Sequence, residues 1–108
     1  MTAYAASMDA PGSRWQPDGD LIYRTDRYGS RVGILPATCR HGEHSLHAVG
    51  YRAYDTKGYL QIICEACVSQ TPPPHDNYWA LRLTESTPAR AELDDGPYEE
   101  MRRRLPRR

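Results

Sequence analysis

Three cysteines and a run of histidines carry the residue types and spacings that suit a metal ion. Cys39 opens the run Cys39-Arg40-His41-Gly42-Glu43-His44-Ser45-Leu46-His47, and Cys64-Glu65-Ala66-Cys67 follows. Two thiolates separated by two residues can grip one ion from a single tight turn. A third thiolate and an imidazole from a second turn complete a tetrahedron, the geometry that zinc takes with S and N ligands. Cys39 and His41 have one residue between them, which leaves little room for both to reach one ion. Cys39-x4-His44 is a longer loop, relaxed by Gly42, and nineteen residues separate His44 from Cys64, within the range read as a zinc pattern. The expected ligands are therefore Cys39, His44, Cys64 and Cys67, with His41 in reserve and one structural Zn2+ as the cofactor. His47 is expected at the start of the next strand.

Other chemistry for the same residues fits less well. A redox dithiol at Cys64/Cys67 usually opens a helix after a strand, and Val68-Ser69-Gln70-Thr71-Pro72 predicts none. An iron–sulfur cluster prefers a fourth cysteine. A catalytic zinc keeps an open position with three protein ligands. Glu43 and Glu65 lie beside the ligands and could serve as a base only if a ligand were missing. The nucleobase deaminases pair Cys-x-x-Cys with an upstream His-x-Glu, an order absent here. The expectation is a closed, non-enzymatic site.

The elements that must position these residues are small. At 108 residues, with no Phe, nine Pro and eight Gly, the chain is poor in core-forming residues. Chains this short bury little surface and often need a disulfide or metal staple. Three cysteines cannot all pair, and neither a secretory h-region nor a run of membrane-span length is visible. These features predict a reducing, cytoplasmic setting without a membrane, where Cys-x-x-Cys tends to bind metal.

The chain divides into a flexible arm over 1–20, a zinc-stapled β domain over 21–84 and an acidic-then-basic tail over 85–108. Trp15 is the one residue of the arm expected to dock. Leu21-Ile22-Tyr23 and Val32-Gly33-Ile34-Leu35 predict strands around the turn Asp26–Ser30. His47–Tyr54 and Tyr59–Cys64 predict a hairpin around Asp55-Thr56-Lys57-Gly58, where Gly58 can take a positive φ. Leu60, Ile62 and Cys64 alternate with Tyr59, Gln61 and Ile63, and Trp79, Leu81 and Leu83 repeat the pattern. Pro72-Pro73-Pro74 is a stiff connector. Thr87-Pro88 can cap a helical turn, and a short helix is expected from Pro97 to Leu105, with Glu99 and Glu100 early and the arginines late. Such a helix is marginal without a partner. The fold class expected is mostly β: a small antiparallel sheet with a short helical tail.

The order of ligand turn, hairpin and ligand turn resembles the zinc-ribbon class over about residues 35–83. That resemblance implies two ligand-bearing knuckles side by side. The first half departs from it, since Cys39 and a histidine stand where the class has Cys-x2-Cys.

Tyr51, Tyr54, Tyr59, Tyr78 and Trp79, interleaved with Arg52, Lys57 and Arg82, are expected to line one sheet surface; in the absence of Phe, Trp79 and Tyr51 could equally fill the core. Exposed aromatics beside basic residues suit protein interfaces or stacking on bases. Tyr54, Tyr59, Arg52, Lys57 and Trp79, with Arg102, Arg103 and Arg104 of the tail, are the candidate binding residues. A net charge of zero disfavours duplex binding, which needs an excess of cations. A protein partner is therefore expected first and a nucleic acid second. Thr71-Pro72-Pro73, His75 and Trp79, followed by acidic residues and the arginines, resemble the tail of the small RNA-polymerase-binding proteins of actinobacteria. That tail is a long helix, which Gly96-Pro97 forbids here. The resemblance implies transcription machinery as a partner.

Overall fold

The computed structural model describes residues 16–105. Trp15 and most of the expected arm lie outside them, as do Arg107 and Arg108. The described chain is mostly β, with seven strands and three helices of one turn each. The strands are β1 (Gly19–Asp20), β2 (Ile22–Thr25), β3 (Arg31–Leu35), β4 (Tyr51–Thr56), β5 (Tyr59–Cys64), β6 (Tyr78–Arg82) and β7 (Arg90–Leu93). The helices are α1 (Leu46–Val49), α2 (Glu65–Val68) and α3 (Glu99–Arg103), the last preceded by a 3-10 turn over Gly96–Tyr98.

Local chemistry accounts for the two tight connections. Asp26 Oδ1 accepts the Tyr28 and Ser30 amides, each at 2.9 Å, and Gly29 has φ +85°, so the side chain closes the β2–β3 turn. The β4–β5 loop is only Lys57-Gly58, shorter than expected. Both residues have positive φ, as the primed two-residue turn requires.

The strands form two sheets in the orders β1-β6-β5-β4 and β2-β3-β7. Both are mixed rather than purely antiparallel, because β1 runs parallel to β6 and β7 parallel to β3. Alternation in a sequence reports which face a residue takes, not which way a strand runs. Here the long connections allow parallel entry. Leu21, buried between β1 and β2, is the single residue over which the chain passes from one sheet to the other. Its amide still bonds Arg82 C=O at 2.9 Å.

The core collects Leu60, Ile62 and Cys64 of β5 with Trp79 and Leu81 of β6, and Leu35, Leu46 and Tyr98. Alternation on β5 holds as read from the sequence, with the even positions buried. β3 is buried from Val32 to Leu35, because Pro88 also covers it: a Cβ on Gly33 would lie 2.6 Å from Pro88 Cγ.

Three local expectations change. Residues 47–50 are not strand: α1 intervenes, and Gly50 at φ +92° ends it with its amide on Leu46 C=O. Thr87-Pro88 caps no helix; the chain runs on into β7, inside a sheet. The tail is docked, since Tyr98 is 2% exposed and its hydroxyl accepts the Ile22 amide at 2.9 Å and donates to Ile34 C=O. The fold therefore continues past the boundary expected at Thr84, and begins before Leu21 through Asp18 and β1.

Candidate metal centre

Two turns bring the ligand set together, one on each side of the β4–β5 hairpin. In the first, a bridge between Thr38 and Ser45 closes the loop. Cys39 N–H bonds His44 C=O at 2.9 Å, and Gly42 N–H bonds Cys39 C=O at 2.9 Å. Gly42 takes φ +92°, which lets the backbone double back inside the loop. In the second, Cys64 ends β5 and α2 begins at once, a one-turn helix where the sequence predicted none. The Cys67 amide then points at Cys64 Sγ, 3.4 Å away.

The donor atoms of Cys39, His44, Cys64 and Cys67 all lie within 4.8 Å of one another. His44 Nδ1 is 3.6 Å from Cys39 Sγ, 3.7 Å from Cys64 Sγ and 3.4 Å from Cys67 Sγ. Cys67 Sγ is 3.7 Å from Cys39 Sγ. A tetrahedral ion bound at about 2.3 Å to sulfur and about 2.0 Å to nitrogen gives edges of about 3.5–3.8 Å. The cluster has the dimensions of such a shell and is compatible with one metal ion. The three cysteines are buried and unpaired by disulfides. Burial, then the neighbouring Cys64 and Cys39 sulfurs, push the Cys67 thiol well above its ordinary range. A cation among the sulfurs reverses that tendency, because a coordinating thiol is deprotonated outright.

The other candidate ligands sit elsewhere. His41 Nδ1 faces Asp76 Oδ1 at 3.1 Å, and its Nε2 is 3.9 Å from Glu43. Glu65 is held by the Arg52 guanidinium, which lowers its pKa below the carboxylate norm. His47 lies exposed on α1.

Sequence reasoning missed the groups that brace the first turn. Arg40 Nε meets Asp18 Oδ1 at 2.9 Å, and both side chains are 3% exposed. Asp18 Oδ2 also takes the Ala80 amide at 3.0 Å, tying the turn to β6. Asp95 accepts the Ala37 and Thr38 amides and the Thr38 hydroxyl. Trp79 Nε1 donates to Thr38 C=O at 2.8 Å. Arg40 follows a ligand directly, a cue the sequence offered, but its partner stands twenty-two residues away.

The expected binding surface divides. Register places Arg52, Ile63 and Tyr78 in one cross-strand row, Tyr54, Gln61 and Ala80 in the next, and Thr56, Tyr59 and Arg82 in the third. Arg52, Tyr54, Tyr59 and Tyr78 thus share the outer face, and Lys57 stands at the hairpin tip. Trp79 does not belong to that surface: it is 1% exposed and pairs with Ile62 on the inner face. Tyr51 likewise pairs with Cys64. With no Phe in the chain, Trp79 is one of the large aromatic residues that fill the core. The tail arginines lie on α3 and beyond, where Arg102 faces Asp95 and Arg103 and Arg104 face Glu100.

Among the described residues no helix is long and apolar enough to cross a membrane. Comparison with protein-family models, with curated proteins and with solved structures finds no match.

Proposed function

We propose that the chain is a small domain stapled by one structural zinc ion, and that it acts as a non-enzymatic adaptor for a protein partner. The convergence of three buried sulfurs and His44 Nδ1 at tetrahedral edge lengths carries this reading. A donor set of three thiolates and one imidazole is typical of closed structural zinc sites. Such a site supplies folding free energy that a core this small lacks. Four protein ligands leave no position for a reacting water, which argues for a fastener rather than a catalyst. A redox dithiol at Cys64/Cys67 would leave Cys39 and His44 without a role.

The resemblance at the Pro-rich connector, Trp79 and the arginine-rich end makes transcription machinery the first partner to test. A nucleic-acid partner is the second reading, favoured by Tyr54, Tyr59 and Tyr78 sharing an outer face with Arg52 and Arg82. Against it, Arg52 is paired with Glu65 and Arg82 with Asp20, so little cationic charge is free to meet phosphates.

Metal analysis of untagged protein tests the centre: about one zinc per chain is expected, with unfolding in chelator. A chain that stays folded without metal overturns it. Affinity capture after nuclease treatment tests the adaptor reading. Retention of one protein partner supports it, whereas salt-dependent retention of RNA or DNA alone replaces it with the second reading.

A further inference from the structure

β4 and β7 are each the last strand of their sheet, and they do not pair with one another. The two-residue turn makes Thr56 and Tyr59 a hydrogen-bonded pair, so alternation makes Tyr54–Gln61 and Arg52–Ile63 bonded pairs as well. Tyr51, Ala53 and Asp55 therefore turn their N–H and C=O groups away from β5. On β7, the Asp94 amide bonds Leu35 C=O at 2.8 Å, which fixes the phase of that parallel ladder. Ala91 and Leu93 then turn their backbone groups away from β3.

The residues of these two rows line the same groove. One part of it, of about 330 Å³, is lined by Ala53 and Asp55 of β4 and by Ala91 of β7, over Leu35 and Leu60. The adjoining part, of about 670 Å³, has Tyr51 on one wall and Ala91 and Leu93 on the other. The small residues keep the walls open and the leucines make the floor apolar. The lining carries two carboxylates, Asp55 and Glu92, and no Lys or Arg. Arg24 engages Glu92, while the Asp55 carboxylate receives only the Thr87 hydroxyl among the described contacts.

We infer that this groove is a docking slot for an extended segment of a partner protein, with small apolar residues at alternate positions and a Lys or Arg set against Asp55. A strand supplies donors and acceptors on both of its edges, which is what two facing open strand edges require. Seated there, it joins the two sheets into one. The Asp55 carboxylate and a lining without Lys or Arg favour a basic strand. The inference rests on the adaptor reading and gives that adaptor its binding mode.

The probe is a displayed library of random peptides of roughly ten residues, a strand length, selected on the metal-loaded full chain. Enriched peptides should alternate small apolar residues and carry a cation. In the complex, hydrogen exchange should slow at the amides of Tyr51, Ala53, Asp55, Ala91 and Leu93. N-methylation of the peptide in one alternating phase should weaken binding at least about tenfold, or about 1.4 kcal/mol, with little effect in the other phase. Asp55→Asn should weaken cationic peptides selectively. Absence of any enriched peptide overturns the slot, and so does binding indifferent to N-methylation. Protection confined to Arg52, Tyr54 and Tyr59 overturns the slot while leaving the adaptor reading intact. Loss of all protein partners after nuclease treatment strikes the adaptor reading itself.

Discussion

Asp95 holds Thr38 twice: its Oδ1 accepts the Thr38 amide at 3.1 Å and its Oδ2 the Thr38 hydroxyl at 2.6 Å. Thr38 precedes Cys39, so the segment expected from sequence to be a tail fixes the approach to the first candidate ligand. Burial alone would raise the Asp95 pKa. The bonds from Thr38 and Ala37, with Arg102 nearby, outweigh it and hold the carboxyl below its ordinary value.

The first prediction follows from that balance. A carboxylate with a lowered folded pKa stabilises the fold above about pH 4, and the contribution is lost as pH falls through the folded pKa. Asp95→Ala should lower stability at pH 7 by about 2 kcal/mol, since it leaves the half-buried donors of Ala37 and Thr38 without their acceptor. Urea unfolding of the metal-loaded protein measures this. Titration of the Asp95 carboxyl by carbon NMR should give a midpoint below the ordinary 3.8; a midpoint above it contradicts the account.

The ligand assignment separates two histidines three residues apart. His44 Nδ1 lies 3.4 Å from Cys67 Sγ, whereas His41 Nδ1 faces Asp76. His44→Ala should weaken metal binding by at least about a hundredfold, beyond the 10–100-fold usual for groups outside the ligand shell. His41→Ala should retain the metal. Cobalt(II) substitution reads both, because its visible absorption reports four-coordinate geometry. The opposite pattern would move the fourth ligand to His41.

How much of this was legible depends on whether the signal was local. Ligand spacing and the period-two alternation of Leu60, Ile62 and Cys64 are local, and the structure places those residues as read. The turn around Gly58 is local as well. Strand direction is not local, so the parallel entry of β1 and β7 left no trace in the sequence. Ser45 and Gly50 bracket α1 as a cap and a stop would, but the adjoining alternation of β4 masked a helix of one turn. Trp79 was read as both surface and core; only the register, which sets it opposite Ile62, decides for the core. Asp18, Asp95 and Tyr98 act on partners far along the chain, and residue type alone does not reveal such pairings.

Arg40 and Asp18 yield the third prediction. An ion pair with both side chains 3% exposed is a poor source of net stability, yet removing one of its partners is costly. Asp18→Ala should cost about 3–5 kcal/mol. The double variant Asp18→Ala/Arg40→Met should cost less than the sum of its single changes, because each single change already removes the same ion pair. Thermal unfolding of the four proteins in excess metal measures the coupling; simple additivity would mean that the pair does not act as a unit.

Tyr98 supplies the last. Ile22 and Ile34 are register partners on β2 and β3, and the Tyr98 hydroxyl stands between the amide of one and the carbonyl of the other. Tyr98→Phe keeps the ring in the core but removes the hydroxyl's bonds to both backbone groups, at a cost of about 2 kcal/mol. Faster hydrogen exchange at Ile22 should accompany the loss, with the metal turns unaffected. Burial pushes the Tyr98 pKa up to about 12 from its ordinary 10.0. A raised folded pKa means that the hydroxyl's contribution is complete below about pH 10 and is lost as pH rises from there through about 12. The stability gap between parent and Tyr98→Phe should therefore be full at pH 8 and should narrow at pH 11. A gap that stays constant across that range would show that burial does not raise the hydroxyl's pKa in the folded state.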